Sequence, residues 1–165
     1  MTVHTTTLDV RGPWSLETSK AFWEGFAPAA LGEQPGSGEL GTVFVAESDW
    51  QRVAVTVTQH DGTATLTLDG SGDLEAAATQ VARVLSLDVD ARGWPEVGRR
   101  DPVIADAQRR LPGLRPCGFH SPYEAAAWSV LSQRVRIRQA ASMRNDLVAR
   151  HGDDGAFPPP QRSGG

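Results

Sequence analysis

The chain has 165 residues and a mass of 17.7 kDa, enough for one ordinary domain or a small one plus the beginning of a second, which excludes a large multidomain enzyme. With 39% hydrophobic and 22% charged residues, it is too apolar for general disorder, and its apolar runs fall short of the about 20 residues a membrane span needs. The net charge of -4 conceals a division: residues 1–98 hold 5 basic and 14 acidic side chains, whereas residues 99–165 hold 11 and 6. All the basic residues but Lys20 are Arg. The lone cysteine, Cys117, excludes an intrachain disulfide and a multi-cysteine zinc site. Met1-Thr2-Val3-His4-Thr5 lacks the basic head and apolar core of a secretion signal, so a cytoplasmic setting is expected.

In chain order, Thr5 to Arg11 reads as a strand stopped by Gly12-Pro13, and Ser15 as the N-cap of a helix through Phe26 carrying Leu16, Phe22 and Trp23. Gly32 to Gly41 is a loop by composition. Thr42 to Ala46 and Gln51 to Gln59 are strands; in the second, Val53, Val55 and Val57 alternate with Ala54, Thr56 and Thr58, the period of a half-buried strand. Asp61-Gly62 turns the chain into Thr63 to Leu68, which alternates the same way, so the two strands form a hairpin. Asp73 caps a helix from Leu74 to about Leu85. Asp101-Pro102 opens another, to about Arg110.

Ser121-Pro122-Tyr123-Glu124 combines a cap, a first-turn Pro and a capping-box Glu. The helix it starts shows an apolar face of Tyr123, Ala126, Ala127, Val130 and Leu131, from which Trp128 departs. A second helix, Ile137 to about Arg150, is expected to bury Ile137, Ala140, Ala141, Leu147 and Val148. Gly152-Asp153-Asp154-Gly155 reads as a turn and Phe157-Pro158-Pro159-Pro160 as extended chain. The fold class is α+β: an antiparallel sheet with two helices over residues 1–92, then an incomplete helical domain over 93–165, with the charge shift at the boundary.

Few residues carry chemistry. Arg134, Arg136 and Arg138 crowd the junction between the last two helices, where guanidinium groups suit phosphates and Gln133 suits a base edge, although a solvated basic face accounts for the same pattern. Leu111-Pro112-Gly113-Leu114-Arg115 reads as a plain loop before it reads as a phosphate-binding turn. Glu124, Asp101 and Asp153-Asp154 are accounted for by caps and a turn, His60 by an exposed hairpin end, and Cys117 by packing. The five tryptophans read mostly as core or boundary packing, with Trp128 able to line a pocket. No phosphate loop, dinucleotide fingerprint or metal-ligand spacing occurs.

The stretch Leu111-Pro112-Gly113-Leu114-Arg115-Pro116-Cys117-Gly118-Phe119-His120-Ser121-Pro122-Tyr123-Glu124, with Ala125 to Gln133 after it, resembles the DNA-3-methyladenine glycosylase II family of the helix-hairpin-helix superfamily. The likeness extends through Arg150-His151-Gly152 and Phe157-Pro158, and an α+β N-terminal domain is part of the family layout. The resemblance implies an enzyme that binds alkylated double-stranded DNA, flips the damaged purine out and hydrolyses its N-glycosidic bond without metal or other cofactor. It implies DNA contact by Gln133, Arg134, Arg136 and Arg138, and makes Tyr123 and Trp128 candidates for lining a pocket. Many relatives carry an apolar wedge where this chain has Arg134, which suits a groove or phosphate contact better than intercalation. The family's Gly-rich hairpin and catalytic Asp have no counterpart in these residues, so no catalytic residue is assigned and the chain is expected to be a truncated portion. The family implies a monomer when complete, and exposed helix faces imply self-association when it is not. The alternative is a noncatalytic DNA-binding or protein-interaction α+β module. The purified 165 residues are expected to release no 3-methyladenine from methylated duplex, an outcome that chromatography of released bases checks directly.

Overall fold

The computed structural model describes residues 2–29 and 38–152. Of the expected loop from Gly32 to Gly41, residues 32–37 lie outside them, as do the turn after Gly152 and the stretch Phe157-Pro160, while Glu39 to Gly41 are strand rather than loop. Four strands, β1 (Thr2–Asp9), β2 (Glu39–Val45), β3 (Arg52–His60) and β4 (Thr63–Gly70), form one antiparallel sheet in the order β1-β4-β3-β2. The helices are α1 (Leu16–Glu24), α2 (Leu74–Val84), α3 (Trp94–Arg100), α4 (Pro102–Arg110), α5 (Pro122–Leu131) and α6 (Ile137–His151).

Period-two alternation sets the sheet's two faces. Val53, Val55 and Val57 lie across from Gly70, Leu68 and Leu66 and are buried with them, while Thr56 and Thr58 pair with Thr67 and Thr65 on the other face. Leu40 and Phe44 of β2 extend the apolar side, which α1 covers with Leu16 and Trp23 and α2 with Ala77, Ala78 and Val81. Each fully buried Val or Leu contributes about 1.5–3 kcal/mol, so this layer is the main source of stability. The Asp61-Gly62 turn places Asp61 at φ 51, the left-handed geometry of a two-residue hairpin.

Side chains tie the elements together at defined points. Ser15 caps α1 by accepting from Thr18 N at 3.1 Å, and Gln59 of β3 accepts from Leu16 N at 2.6 Å. Asp73 caps α2 by accepting from Ala76 N, and its own N–H donates to Asp49 Oδ2 at 2.8 Å. Asp49 also accepts from Gln51 N, and these backbone donors, Asp73 first, hold its carboxyl below the usual range. Between them stands Trp50, left-handed at φ 59 and 71% exposed at the tip of the β2–β3 turn.

The first and last residues of several elements differ from the sequence expectations. β1 spans 2–9 rather than 5–11, and α1 stops at Glu24, followed by a short 3-10 turn at Ala27–Ala29. α3 is an additional helix; it is only seven residues long, with Pro95 in its first turn and Gly98 inside it, and offers little periodicity to recognise. The expected faces of α5 and α6 are corrected. Tyr123 is 72% and Val130 69% exposed, while Trp128 and Leu131 are half-buried. In α6, Ala140 is buried and Ala141 half-buried, but Ile137, Leu147 and Val148 are exposed.

The loop from Leu111 to Phe119 is a strap across the α+β layer. Gly113 sits at φ +67, and its carbonyl accepts from Ser15 N at 2.9 Å; a Cβ there would fall 2.6 Å from that nitrogen. Arg115, 3% exposed, donates from Nη1 to Ser86 O (2.7 Å) and Val89 O (2.8 Å), from Nη2 to Arg11 O (2.8 Å) and from Nε to Pro13 O (3.3 Å). Its backbone N–H reaches Ser19 Oγ, and its carbonyl accepts from the buried Trp23 indole. Burial lowers the guanidinium pKa, and the nearby Asp88 and Asp90 charges oppose that shift.

Replacing Arg115 by Met is expected to cost about 3 kcal/mol, because the carbonyls of Pro13, Ser86 and Val89 lose their donor inside the protein, while that of Arg11 keeps Ala91 N. Gly113→Ala is expected to cost about 2 kcal/mol through its left-handed backbone and the approach to Ser15. Urea unfolding of both variants checks these values.

Candidate functional site

The strap leads into α5, and the first turn of that helix is locked. Ser121 Oγ accepts from Glu124 N at 3.1 Å, as the capping pattern predicts, but the Glu124 carboxylate reaches one residue further back, accepting from His120 N at 2.7 Å. His120 Nδ1 lies 3.4 Å from the same oxygen, and its ring stacks on Phe44 of the sheet at 5.6 Å. Gln80 of α2, itself buried, donates to His120 O at 2.6 Å. Burial pushes the Glu124 carboxyl up, yet its bonds to His120 and the Arg144 charge outweigh that and leave its pKa lowered. His120 and Glu124 thus form a latch that joins helix to sheet.

α6 is held separately, by Arg144 Nη1 donating to Ala27 O at 2.7 Å. Between the two attachments the chain reverses. Ser132 N closes α5 on Trp128 O, Gln133 N bonds Val130 O, Arg134 takes a left-handed φ of 56, and Arg136 N–H donates to Gln139 Oε1 at the start of α6. Gln133, Arg134, Arg136 and Arg138 are all exposed. Among the described residues none of these three guanidinium groups is paired with a carboxylate, whereas Arg99, Arg109 and Arg110 are paired with Glu96 and Asp106. The junction therefore concentrates free positive charge on a short, tied turn. Such a turn can bind a polyanion and cannot by itself move a proton or attack a bond.

The remaining candidates have structural partners. Asp101 caps α4, accepting from Val103 N and Ile104 N. His60 is exposed beside Asp61. Leu111 to Arg115 is the strap rather than an anion cradle. Cys117 is half-buried, and burial pushes its thiol up to about 11. It lines a cavity of about 20 Å³ with Trp23, Leu40, Val84 and His120, room for one water and far too small for a nucleobase. Among the described residues no group of three or more His, Cys, Asp and Glu is placed to hold a metal ion. No helix there is long and apolar enough to cross a membrane. Tyr123 and Trp128 occupy different environments, one open to solvent and one half-buried. The residue that sequence reasoning missed is Arg115, because its partners are backbone carbonyls that leave no mark in side-chain patterns.

No family model matches the chain. A DNA-3-methyladenine glycosylase of Bacillus subtilis (strain 168) is 33% identical over 67 residues, which are 41% of this chain and 22% of that protein. Over those residues the chain is similar to that DNA-3-methyladenine glycosylase. The fold agrees. A 3-methyladenine DNA-glycosylase from Archaeoglobus fulgidus superposes with a TM-score of 0.65 at 20% identity, over 92% of this chain and 52% of that one. A structure of MBOgg1 in complex with a low affinity DNA ligand superposes at 0.52 and 17%, over 93% and 50%. The chain thus spans about half of these solved glycosylases and about a fifth of the curated relative. Their shared architecture is the α+β layer followed by helices described above.

Two outcomes follow for this region. Because the folded Glu124 pKa lies below its ordinary 4.5, the ionised carboxylate stabilises the fold above that value, and the contribution is lost as pH falls through the folded pKa. Melting temperature on acidification should accordingly fall more steeply in the wild type than in Glu124→Gln. A thiol at about 11 in place of 9.0 carries roughly a hundredfold less thiolate at neutral pH. Iodoacetamide should accordingly label Cys117 about a hundred times more slowly in the folded protein than in urea.

Proposed function

We propose that this chain works in DNA base-excision repair, as the portion of an alkylated-purine glycosylase that holds duplex DNA. In this reading residues 1–92 form the α+β unit and residues 93–165 the opening of the helical domain. The buried cluster between Val10 and Leu87 supports that division. The activity of the whole is hydrolysis of the N-glycosidic bond of a base flipped out of the stack, which costs a few kcal/mol and less for a damaged base. The protein works in the cytoplasm, in keeping with its single cysteine.

The observation that carries the reading is the α5–α6 junction, three carboxylate-free guanidinium groups beside Gln133 on a chain related to DNA-3-methyladenine glycosylases. Arg134, Arg136 and Arg138 contact phosphates, and Gln133 reaches the base edges where the duplex is opened. Tyr123 and Trp128 contribute to the wall of the base pocket.

Fluorescence anisotropy with a labelled duplex tests this. Arg134→Ala, Arg136→Ala and Arg138→Ala should each make the slope of log K against log salt shallower by about 0.9, the value for one lost phosphate contact on B-form DNA. A triple variant with unchanged affinity and slope would remove the junction from the interface.

A further inference from the structure

We propose that the free edge of β1 pairs antiparallel with β1 of a second copy of this chain, about a two-fold axis through Thr5, joining two sheets into one of eight strands. The backbone decides which groups are offered. Val10 N donates to Gly62 O at 3.0 Å, and β1 runs opposite β4 in unbroken register from Thr2↔Gly70 to Asp9↔Thr63. The alternation of an antiparallel ladder then turns the N–H and C=O groups of His4, Thr6 and Leu8 toward β4, and those of Val3, Thr5 and Thr7 outward. Among the described residues no hydrogen bond takes up these outward groups.

Sheet edges are usually guarded by a charge, a proline, a bulge or short length. β1 has eight residues in continuous register, and Thr2 to Leu8 include no Asp, Glu, Lys, Arg or Pro. Each edge strand has one acidic residue at its end, Asp9 in β1 and Glu39 in β2, but in β2 Gly41 already has a partner.

The occupant follows from self-complementarity. Pairing about Thr5 sets Thr5 against Thr5 of the second copy, and Val3 against Thr7, at the positions that exchange both backbone hydrogen bonds. No like charges come opposite one another, and the side chains that meet are β-branched residues suited to cross-strand packing. Val3, 58% exposed, is covered in this arrangement. It also continues the threonine face of the sheet, whose rows run Thr5–Thr67–Thr56 and Thr7–Thr65–Thr58, across the seam.

The test is amide hydrogen exchange of the full chain at low and high concentration, beside sedimentation equilibrium. The amides of Val3, Thr5 and Thr7 should gain protection as dimer forms, while those of His4, Thr6 and Leu8 are protected throughout. Thr5→Lys places two ammonium groups at the axis and should abolish the dimer. Thr5→Pro removes an outward N–H alone, a change an edge strand accepts, and should act the same way. A protein that stays monomeric up to about 1 mM, the weak limit of measurable association, overturns the proposal. So does a dimer that survives Thr5→Lys with unchanged exchange at Val3, Thr5 and Thr7. If a variant fails to fold, the concentration dependence of wild-type exchange decides the matter.

Discussion

A buried guanidinium with no buried carboxylate to answer it organises this molecule. Arg115 ends among the carbonyls of Arg11, Pro13, Ser86 and Val89, which leave β1 and α2 for the loops that follow them. Backbone carbonyls in such loops lack ladder partners; Arg11 O also accepts from Ala91 N, and the other three would be costly to bury alone. One planar cation with five N–H groups satisfies four of them and fixes two loops against the strap. The arrangement tolerates the charge because the partial negative charges of the carbonyls surround it. A Lys, with a single ammonium point, has no equivalent reach.

From that knot the geometry runs outward. The strap passes over α2, where Gly118 N meets Val84 O at 2.7 Å and Ser86 Oγ meets Pro116 O at 2.8 Å, and delivers His120 onto Phe44. α5 therefore leaves the sheet from an anchored N-terminus, and its ten residues carry the Arg-rich turn roughly 15 Å away. The end of the helix that is fixed and the end that carries charge are opposite ends. The division of charge along the sequence becomes a division in space, since the acidic residues belong mostly to the sheet layer and the free Arg side chains to the far junction.

How much of this was written in the sequence depends on whether the cause was local. The β3–β4 hairpin, the caps at Ser15, Asp73, Asp101 and Ser121, and the start of α5 rest on residues within a few positions of each other, and all are present. The faces of α5 and α6 were not legible. Apolar spacing groups Tyr123 with Val130, but the side turned inward is chosen by the Glu124–His120 latch, which brings Trp128 and Leu131 toward the protein. The candidate site was legible as a cluster of residue types. What the sequence did not disclose is that Arg115, about twenty residues before that cluster and the same residue type, is wholly structural. A guanidinium bound to remote main chain and one awaiting phosphate look alike in a string of letters.

The knot also has a direction in time. Arg115 bonds Arg11 across 104 residues and its carbonyl meets Trp23 across 92, whereas the main cluster of buried apolar residues ends at Leu87. During synthesis at about 5–20 residues per second, the whole sheet layer emerges seconds before Arg115 does. Hairpins form in about microseconds, so the layer assembles first with its loop carbonyls still hydrated, and the strap closes afterwards. The ribosome thus presents the lock only after the parts to be locked are in place, and the nascent chain short of Arg115 is the form most exposed to proteases and chaperones.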